Sequence, residues 1–470
     1  MKKLRAKDQP AVCNVNENPC NMCMPMGAIL PFKGIEQSMV MIHGSQGCST
    51  YMRRHIAEHF NEPIDVGSSS LNEKGTIYGG ENNLKQGLDN IVKVYQPKLI
   101  GVLTTCLAET IGEDIERISE EYLQEREHTG LKIIPVPTPG YGDSHSEGYW
   151  LATFQIVKAL AQETTNHNKI NVIVPNISPA DIREIKRMLD RVGVQYTLFP
   201  DFSDTLDRPL EKTYKKIPDG GTGIADLAGM PGAPATIQFG YTVGEQYSPG
   251  HYLAKEFGVP LYNLPIPIGL KNTDQFMAAL TEITQQPVPV MLEQERGRLM
   301  DAMVDSHKYN FAGRSVIFGD PELVYAITTA CVENGIFPEV VATGSTWRKL
   351  QEALEPSLKQ WNLQPELLIG SDFVQIREHA RNRQANVAIG HSDGRYLTER
   401  EGIPLVRMGF PIHDRVGGQR ILSVGYVGTA MFLDRITNTL LESKLSNYRQ
   451  NMYKQYYESA HPEDGSTLEC

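Results

Sequence analysis

Short, wholly apolar runs alternate along this chain with longer stretches whose apolar residues recur at helical spacing. Runs without polar alternation indicate strands buried on both faces, as in parallel sheets. Met39-Val40-Met41-Ile42-His43 and Leu99-Ile100-Gly101-Val102-Leu103-Thr104 are two such strands, and helix-like sequence follows each, Ser49 to Ile56 and Leu107 to Asp114. Ile170 to Val174 is a third strand. Ser178-Pro179 then supplies an N-cap with proline at the first helical position, Ile182 to Leu189 carries a helical apolar stripe, Gly193 stops it, and Gln195 to Phe199 is the next strand. The grammar returns with the strand Ser315 to Gly319, the cap Asp320-Pro321, a helix from Glu322 to Asn334, the stop Gly335 and the strand Glu339 to Ala342. A last unit runs from Asn386-Gly390 to Pro404-Met408.

Each set is most simply a right-handed parallel βαβ element. The expected fold class is α/β, with three similar domains of parallel sheets flanked by helices, spanning 1–165, 166–310 and 311–470, the last with a loose or docking extension from Ser459. A chain of 470 residues is too long for one core. A net charge of −11 with no basic block argues against nucleic acid as a partner. No apolar run approaches the length of a membrane span, and the basic start at Met1 has no apolar core behind it, so neither a membrane anchor nor a signal peptide is expected. The expected location is cytoplasmic, with reduced thiols.

That expectation changes how the 7 cysteines read. Cys13, Cys20, Cys23, Cys48 and Cys106 crowd the first quarter, whereas Cys331 sits in a predicted helix and Cys470 ends the chain. Disulfides explain this poorly in a reducing compartment, and metal or cluster ligation explains it better. Cys48 closes the run His43-Gly44-Ser45-Gln46-Gly47-Cys48, and Cys106 closes Thr104-Thr105-Cys106, each between a strand's carboxyl end and a helix. Ligands of open α/β sheets sit there, and a helix amino end favours the thiolate. Two sulfurs at two strand tips suggest one shared site. Cys20-Asn21-Met22-Cys23 is a C-x-x-C, a weak signal alone. A zinc site needs a second close pair, and a redox pair should open a helix after a strand, whereas Met24-Pro25-Met26-Gly27-Ala28 follows here. Taken singly, any of these cysteines reads equally well as a small buried hydrophobe. Taken together, Cys23, Cys48 and Cys106 point to thiolates on turns around an iron–sulfur cluster. His43 is a candidate ligand, though such a residue more often fixes its loop by hydrogen bonding. Neither a Walker loop nor a dinucleotide G-x-G-x-x-G is present.

The chain resembles nitrogenase component 1, in its β-type subunits and their paralogues. The resemblance rests on Cys23-Met24-Pro25-Met26-Gly27-Ala28, His43 to Cys48, Thr104 to Asp114, Thr138-Pro139, Leu264 to Leu270 with Thr273-Asp274, Glu295 to Asp301, and Arg407 to Arg415. It implies three Rossmann-like domains and an α-type partner in an α2β2 heterotetramer. It also implies that Cys23, Cys48 and Cys106 hold half of an [8Fe-7S] P-cluster at the αβ interface. The catalytic cofactor would lie in the partner, and this chain would relay electrons from an ATP-dependent iron protein. Asp301 and Asp305, i,i+4 on a helix, would join Glu62 in binding a divalent cation that bridges two copies of the chain. An ordinary solvated acidic face is the alternative. Departures accompany the match. Gly140 stands where the family has a serine that can ligate the oxidised cluster, Met24 replaces a usual glutamine, and Cys13 and Cys20 are additional. A paralogous reading, the β-like half of a cofactor-maturation scaffold holding a [4Fe-4S] cluster, therefore stays beside the reductase reading.

Overall fold

The structure is a computed structural model and describes residues 20–126 and 130–457. Cys13, Cys470 and the extension from Ser459 lie outside the described residues. Three parallel sheets follow one another along the chain. The first holds β1 (Ser38–His43), β2 (Gly67–Ser68), β3 (Leu99–Thr104) and β4 (Lys132–Val136). The second holds β5 (Ile170–Ile173), β6 (Tyr196–Phe199), β7 (Thr236–Gln238) and β8 (Leu261–Asn263). The third holds β9 (Arg314–Phe318), β10 (Phe337–Thr343), β11 (Glu366–Ile369), β12 (Val387–Gly390) and β13 (Leu405–Arg407). Every pairing of these strands is parallel. This matches the wholly buried residues of β1 and β3, which leave no face for solvent.

The strand orders are β2-β1-β3-β4, β6-β5-β7-β8 and β11-β10-β9-β12-β13. The order therefore reverses between β1 and β3, between β5 and β7, and between β9 and β12. A crevice opens beyond the carboxyl ends at each reversal. In the first sheet the residues entering that crevice are those that follow His43 and Thr104.

The three units interlock. Helix Met24–Lys33 and helix His145–Leu160 touch backbone to backbone. A Cβ added at Gly27 would stand 1.7 Å from the carbonyl oxygen of His145, and one at Gly148 would stand 1.9 Å from that of Met24. No side chain fits at either point. Helix Gly425–Tyr456 lies along helix Val290–Asn310, with Thr437 donating to Asn310 Oδ1 at 2.9 Å and Tyr426 to Asp274 Oδ1 at 2.8 Å. The last described helix thus packs back on the second unit. At the other end, Cys20 packs into the core of the third sheet among Val316, Phe318 and Phe373. No described helix is long and apolar enough to cross a membrane.

Local signals mostly act as the sequence indicates. The Ser178 side chain accepts from the N–H of Asp181, opening helix Pro179–Val192, and Gly193 ends it at φ 79°. Asp320 differs. It occupies the N-cap of helix Pro321–Glu333 without a side-chain capping bond. Its carboxylate instead meets His145 Nε2 at 2.7 Å and accepts from Asn176 at 3.2 Å, two residues distant in sequence.

Helix Gln46–Phe60 is anchored at its far end by buried His59, whose Nδ1 accepts from the N–H of Ile412 at 2.8 Å between the rings of Phe60 and Phe410. Burial lowers its pKa from 6.5 to about 3. Below pH 6.5 the unfolded chain takes up a proton that the folded chain refuses, so this group costs stability as pH falls from 6.5 towards 3. His59→Gln keeps an acceptor and does not titrate. Between pH 7 and pH 5, urea unfolding should show the wild type losing about 2 kcal/mol more than His59→Gln. Equal losses would contradict the buried neutral imidazole.

Candidate functional site

Cys48 is the third residue of helix Gln46–Phe60. The helix starts three residues earlier than Ser49, where sequence alone placed it, so the thiol lies inside the first turn rather than ahead of it. The preceding loop is tightly held. His43 Nδ1 and the Gly44 N–H both meet Ser69 Oγ at 3.0 Å, and His43 Nε2 faces Glu113 Oε2 at 3.4 Å. His43 therefore fixes the loop, and both its nitrogens are engaged. Ser45 occupies the N-cap position without a side-chain capping bond, and its hydroxyl instead donates to Cys48 Sγ at 3.4 Å.

Cys106 is the first residue of the short helix Cys106–Thr110 after β3. Its loop crosses that of Cys48 at close range: the Thr105 N–H donates to the His43 carbonyl at 3.1 Å, and a Cβ at Gly44 would lie 2.1 Å from Thr105 Oγ1. The chain after β4 is drawn in as well. Thr138 donates through its N–H to Thr104 Oγ1 at 2.7 Å and through its hydroxyl to the Thr104 carbonyl at 2.9 Å. These bonds carry Gly140 to Cys106.

Cys23 is the N-cap of helix Met24–Lys33, with Pro25 in its first turn. The C-x-x-C therefore does open a helix, contrary to the sequence-based expectation, but it is not a redox pair. Cys20 leaves in the other direction, into the third sheet's core, with its sulfur 3.7 Å from His391 Nε2. Burial, then the charges of Asp393 and Asp320, push that thiol's pKa up, which leaves it an inert buried group. Cys23 is held by a bridge to Ser144, by the Met22 N–H donating to His145 Nδ1 at 3.1 Å, and by the His145 N–H donating to the Met22 carbonyl at 2.9 Å.

Cys106 and Cys23 thus meet beside Gly140, and Cys48 lies near enough to act on Cys23. A single point, the position of a Cβ on Gly140, lies 2.9 Å from Cys106 Sγ and 3.9 Å from Cys23 Sγ. Partial desolvation first, then the neighbouring Cys106 and Cys48, raise the pKa of Cys23. All three thiols are unpaired, with Cys23 and Cys106 exposed and Cys48 half-buried. Among the described residues, no three His, Cys, Asp or Glu side chains are grouped closely enough to hold a single metal ion. A cluster with several irons is wider than one ion, and an open thiol edge of this kind fits one side of such a group.

The second expected metal site is not brought together in the same way. Glu62 accepts from Arg208 twice, from the backbone N–H at 3.2 Å and from Nε at 3.1 Å. Its charge is answered inside the chain by Arg208. Asp301 and Asp305 are exposed on helix Val290–Asn310.

Sequence reading missed three contributors. Tyr51 lies one turn beyond Cys48, and desolvation, then Cys23 and Asp393, push its phenol pKa up. His145 braces the Cys23 loop. The capping box of Ser144 and Glu147, which starts the helix carrying His145, was legible as S-x-x-E.

Comparison with known proteins agrees with this geometry. Residues 23–441 match the family model described as nitrogenase component 1 type oxidoreductase. The nitrogenase molybdenum-iron protein beta chain of Clostridium pasteurianum is 35% identical over 432 residues, covering 90% of this chain and 93% of that one. Its counterpart from Methanothermobacter thermautotrophicus is 34% identical over 455 residues, covering 94% and 96%. A solved chain described as nitrogenase Cp1 at pH 6.5 superposes with a TM-score of 0.88 at 33% identity, covering 99% and 98%. Three parallel-sheet units, the reversal-point thiols and these matches over nearly its whole length make the chain a member of the nitrogenase component 1 type oxidoreductases, among their β-type chains.

Proposed function

We propose that this chain is the β-type half of a nitrogenase-like reductase. In this reading Cys23, Cys48 and Cys106 hold one side of an iron–sulfur cluster at the contact with an α-type partner, and the chain relays electrons from an ATP-dependent iron protein to that partner's cofactor in an α2β2 assembly. One observation carries the reading: three thiols from three separate elements, each at or within the first turn of a helix, lie close enough that Cys106 and Cys23 flank Gly140 and both Cys106 and Cys48 act on Cys23. Tyr51 and Tyr141 add aromatic surface beside them, 42% and 65% exposed, the kind of residue that protein contacts favour. When bound, a cluster of the [8Fe-7S] P-cluster type supplies reversible electron steps at low potential.

The chain's own residues then have separable tasks. The Ser45 hydroxyl, donating to Cys48, withdraws charge from that sulfur and tunes the potential upward. The Thr104–Thr138 bonds fix the Cys106 loop against Gly140. Gly140 brings no oxygen to the edge, so the sulfurs are the side-chain donors there. Asp301 and Asp305 offer a carboxylate pair to a divalent cation shared with a second copy.

Anaerobic co-purification with the α-type partner, followed by iron and sulfide analysis and EPR, tests the reading. About eight irons per αβ contact, beyond those of the partner's cofactor, are expected. About four irons with a simple cubane signal would make the complex a maturation scaffold. Cys48→Ala and Cys106→Ala should each lose the contact's iron and its EPR signal, and unchanged iron in either variant would remove these residues as ligands. Gly140→Ser should keep the iron content and alter the oxidised-state EPR and midpoint potential, because its oxygen enters the space beside Cys106 Sγ. Gly140→Ala is the control for bulk alone, and indistinguishable spectra for the two would show that the position does not reach the cluster.

A further inference from the structure

A cleft of about 530 Å³ lies between the helices of the second and third units and shares no residue with the thiol edge. Tyr241, Tyr325 and Trp361 supply its aromatic walls, and Lys271, Gln275 and Glu333 stand at its mouth, where it continues into a shallower depression. The volume is that of a site for a small organic molecule, and junctions between α/β units are common places for one.

The walls are built rather than incidental. Tyr241 follows β7 at its carboxyl end, beside the strand-order reversal of the second sheet. Glu322, on the helix across the cleft, accepts from the N–H groups of Tyr241 at 2.9 Å and Thr242 at 2.7 Å, which holds the loop rigid. The rings of Tyr241 and Tyr325 lie 5.0 Å apart, inclined at 45°. Trp361, at the end of helix Lys349–Gln360, leaves 55% of its surface to solvent on the opposite wall.

The mouth carries one charge of each sign, held differently. Glu333 accepts from the N–H groups of Leu270 at 2.9 Å and Lys271 at 3.0 Å, so its carboxylate is engaged by the start of helix Leu270–Thr284. Asp274 receives both forks of Arg296 at 2.8 Å and the Tyr426 hydroxyl at 2.8 Å. Lys271 is exposed, and its charge bears on Glu333. The carboxylate is thus tied to the backbone, and the lysine ammonium is the charged group at the mouth with room for a ligand's anionic group.

We infer that this cleft binds a small planar aromatic anion, its rings against Tyr241, Tyr325 and Trp361 and its charged group at Lys271. The inference is independent of the thiol edge and its cluster.

Anilinonaphthalene sulfonate is the anionic probe and phenylnaphthylamine, the same kind of ring system without the sulfonate, is the neutral one. Both are titrated fluorimetrically against the chain as purified with its partner. One saturable site per chain is expected for the sulfonate. Trp361→Ala should weaken both probes, and Lys271→Gln should weaken the sulfonate alone by about tenfold, the scale of one charge-assisted contact. Both side chains lie at the surface, so neither change threatens the fold. Absence of a saturable site, or indifference to both substitutions, would overturn the site. Equal loss of the two probes in Lys271→Gln would overturn the anion.

Discussion

The thiol edge depends on backbone approaches too close for any side chain, and the one that places Cys23 joins two helices. Helices Met24–Lys33 and His145–Leu160 approach until the α-carbon of each glycine, Gly27 and Gly148, faces a carbonyl of the other helix, at separations no Cβ survives. That approach puts Met22 within hydrogen-bonding reach of His145, and so places Cys23 beside Ser144 and the Pro139-Gly140 turn. The crossing of the Gly44 and Thr105 loops does the same for Cys48 and Cys106. Two sets of close contacts, each intolerant of side-chain volume, thus define where three sulfurs meet.

His145 extends this constraint across the molecule. Its Nδ1 holds the Cys23 loop, and its Nε2 meets Asp320 at the carboxyl end of β9. Burial opposes protonation of this imidazole, but the charge and contact of Asp320, with Glu147 behind them, outweigh it and raise the pKa. A buried ion pair is a poor source of net stability, yet removing one partner strands the other's charge. The pair serves better as a register mark between the first and third units. This explains why Asp320 forgoes the capping bond that its sequence context suggests.

The strands, their parallel pairing and the reversal-point thiols were legible because they rest on local apolar runs and short-range caps. Gly193 in a left-handed turn and Ser178 at its cap are of this kind. What escaped depended on distant partners or weak signals. Gly-Ser-Gln-Gly has too little helix propensity to announce a helix at Gln46. Cysteine is not a common cap, so nothing local said that Cys23 opens a helix. The C-x-x-C was a weak signal because spacing was all the sequence displayed; helix formation at Met24 turns Cys23 to the edge and leaves Cys20 to the third core. Glu62 looked like a free carboxylate because Arg208, far along the chain, could not be seen beside it.

The exposure of the edge has its own logic. Cys23 rises in pKa through partial burial and then the two other sulfurs near it, so the chain alone favours the protonated form of that thiol. A positively charged metal core reverses that preference, and a second chain that completes the donor set also removes the edge from water, where the same charges interact more strongly. Iron loading and subunit association therefore reinforce each other in the proposed complex: each lowers the cost of the other. Gly140 weights this balance toward sulfur. Where an oxygen donor would stabilise a more oxidised core, this chain offers a bare backbone 2.9 Å, measured from its would-be Cβ, from Cys106 Sγ. In the proposed complex its half of the contact would supply three sulfurs, with no oxygen donor from position 140.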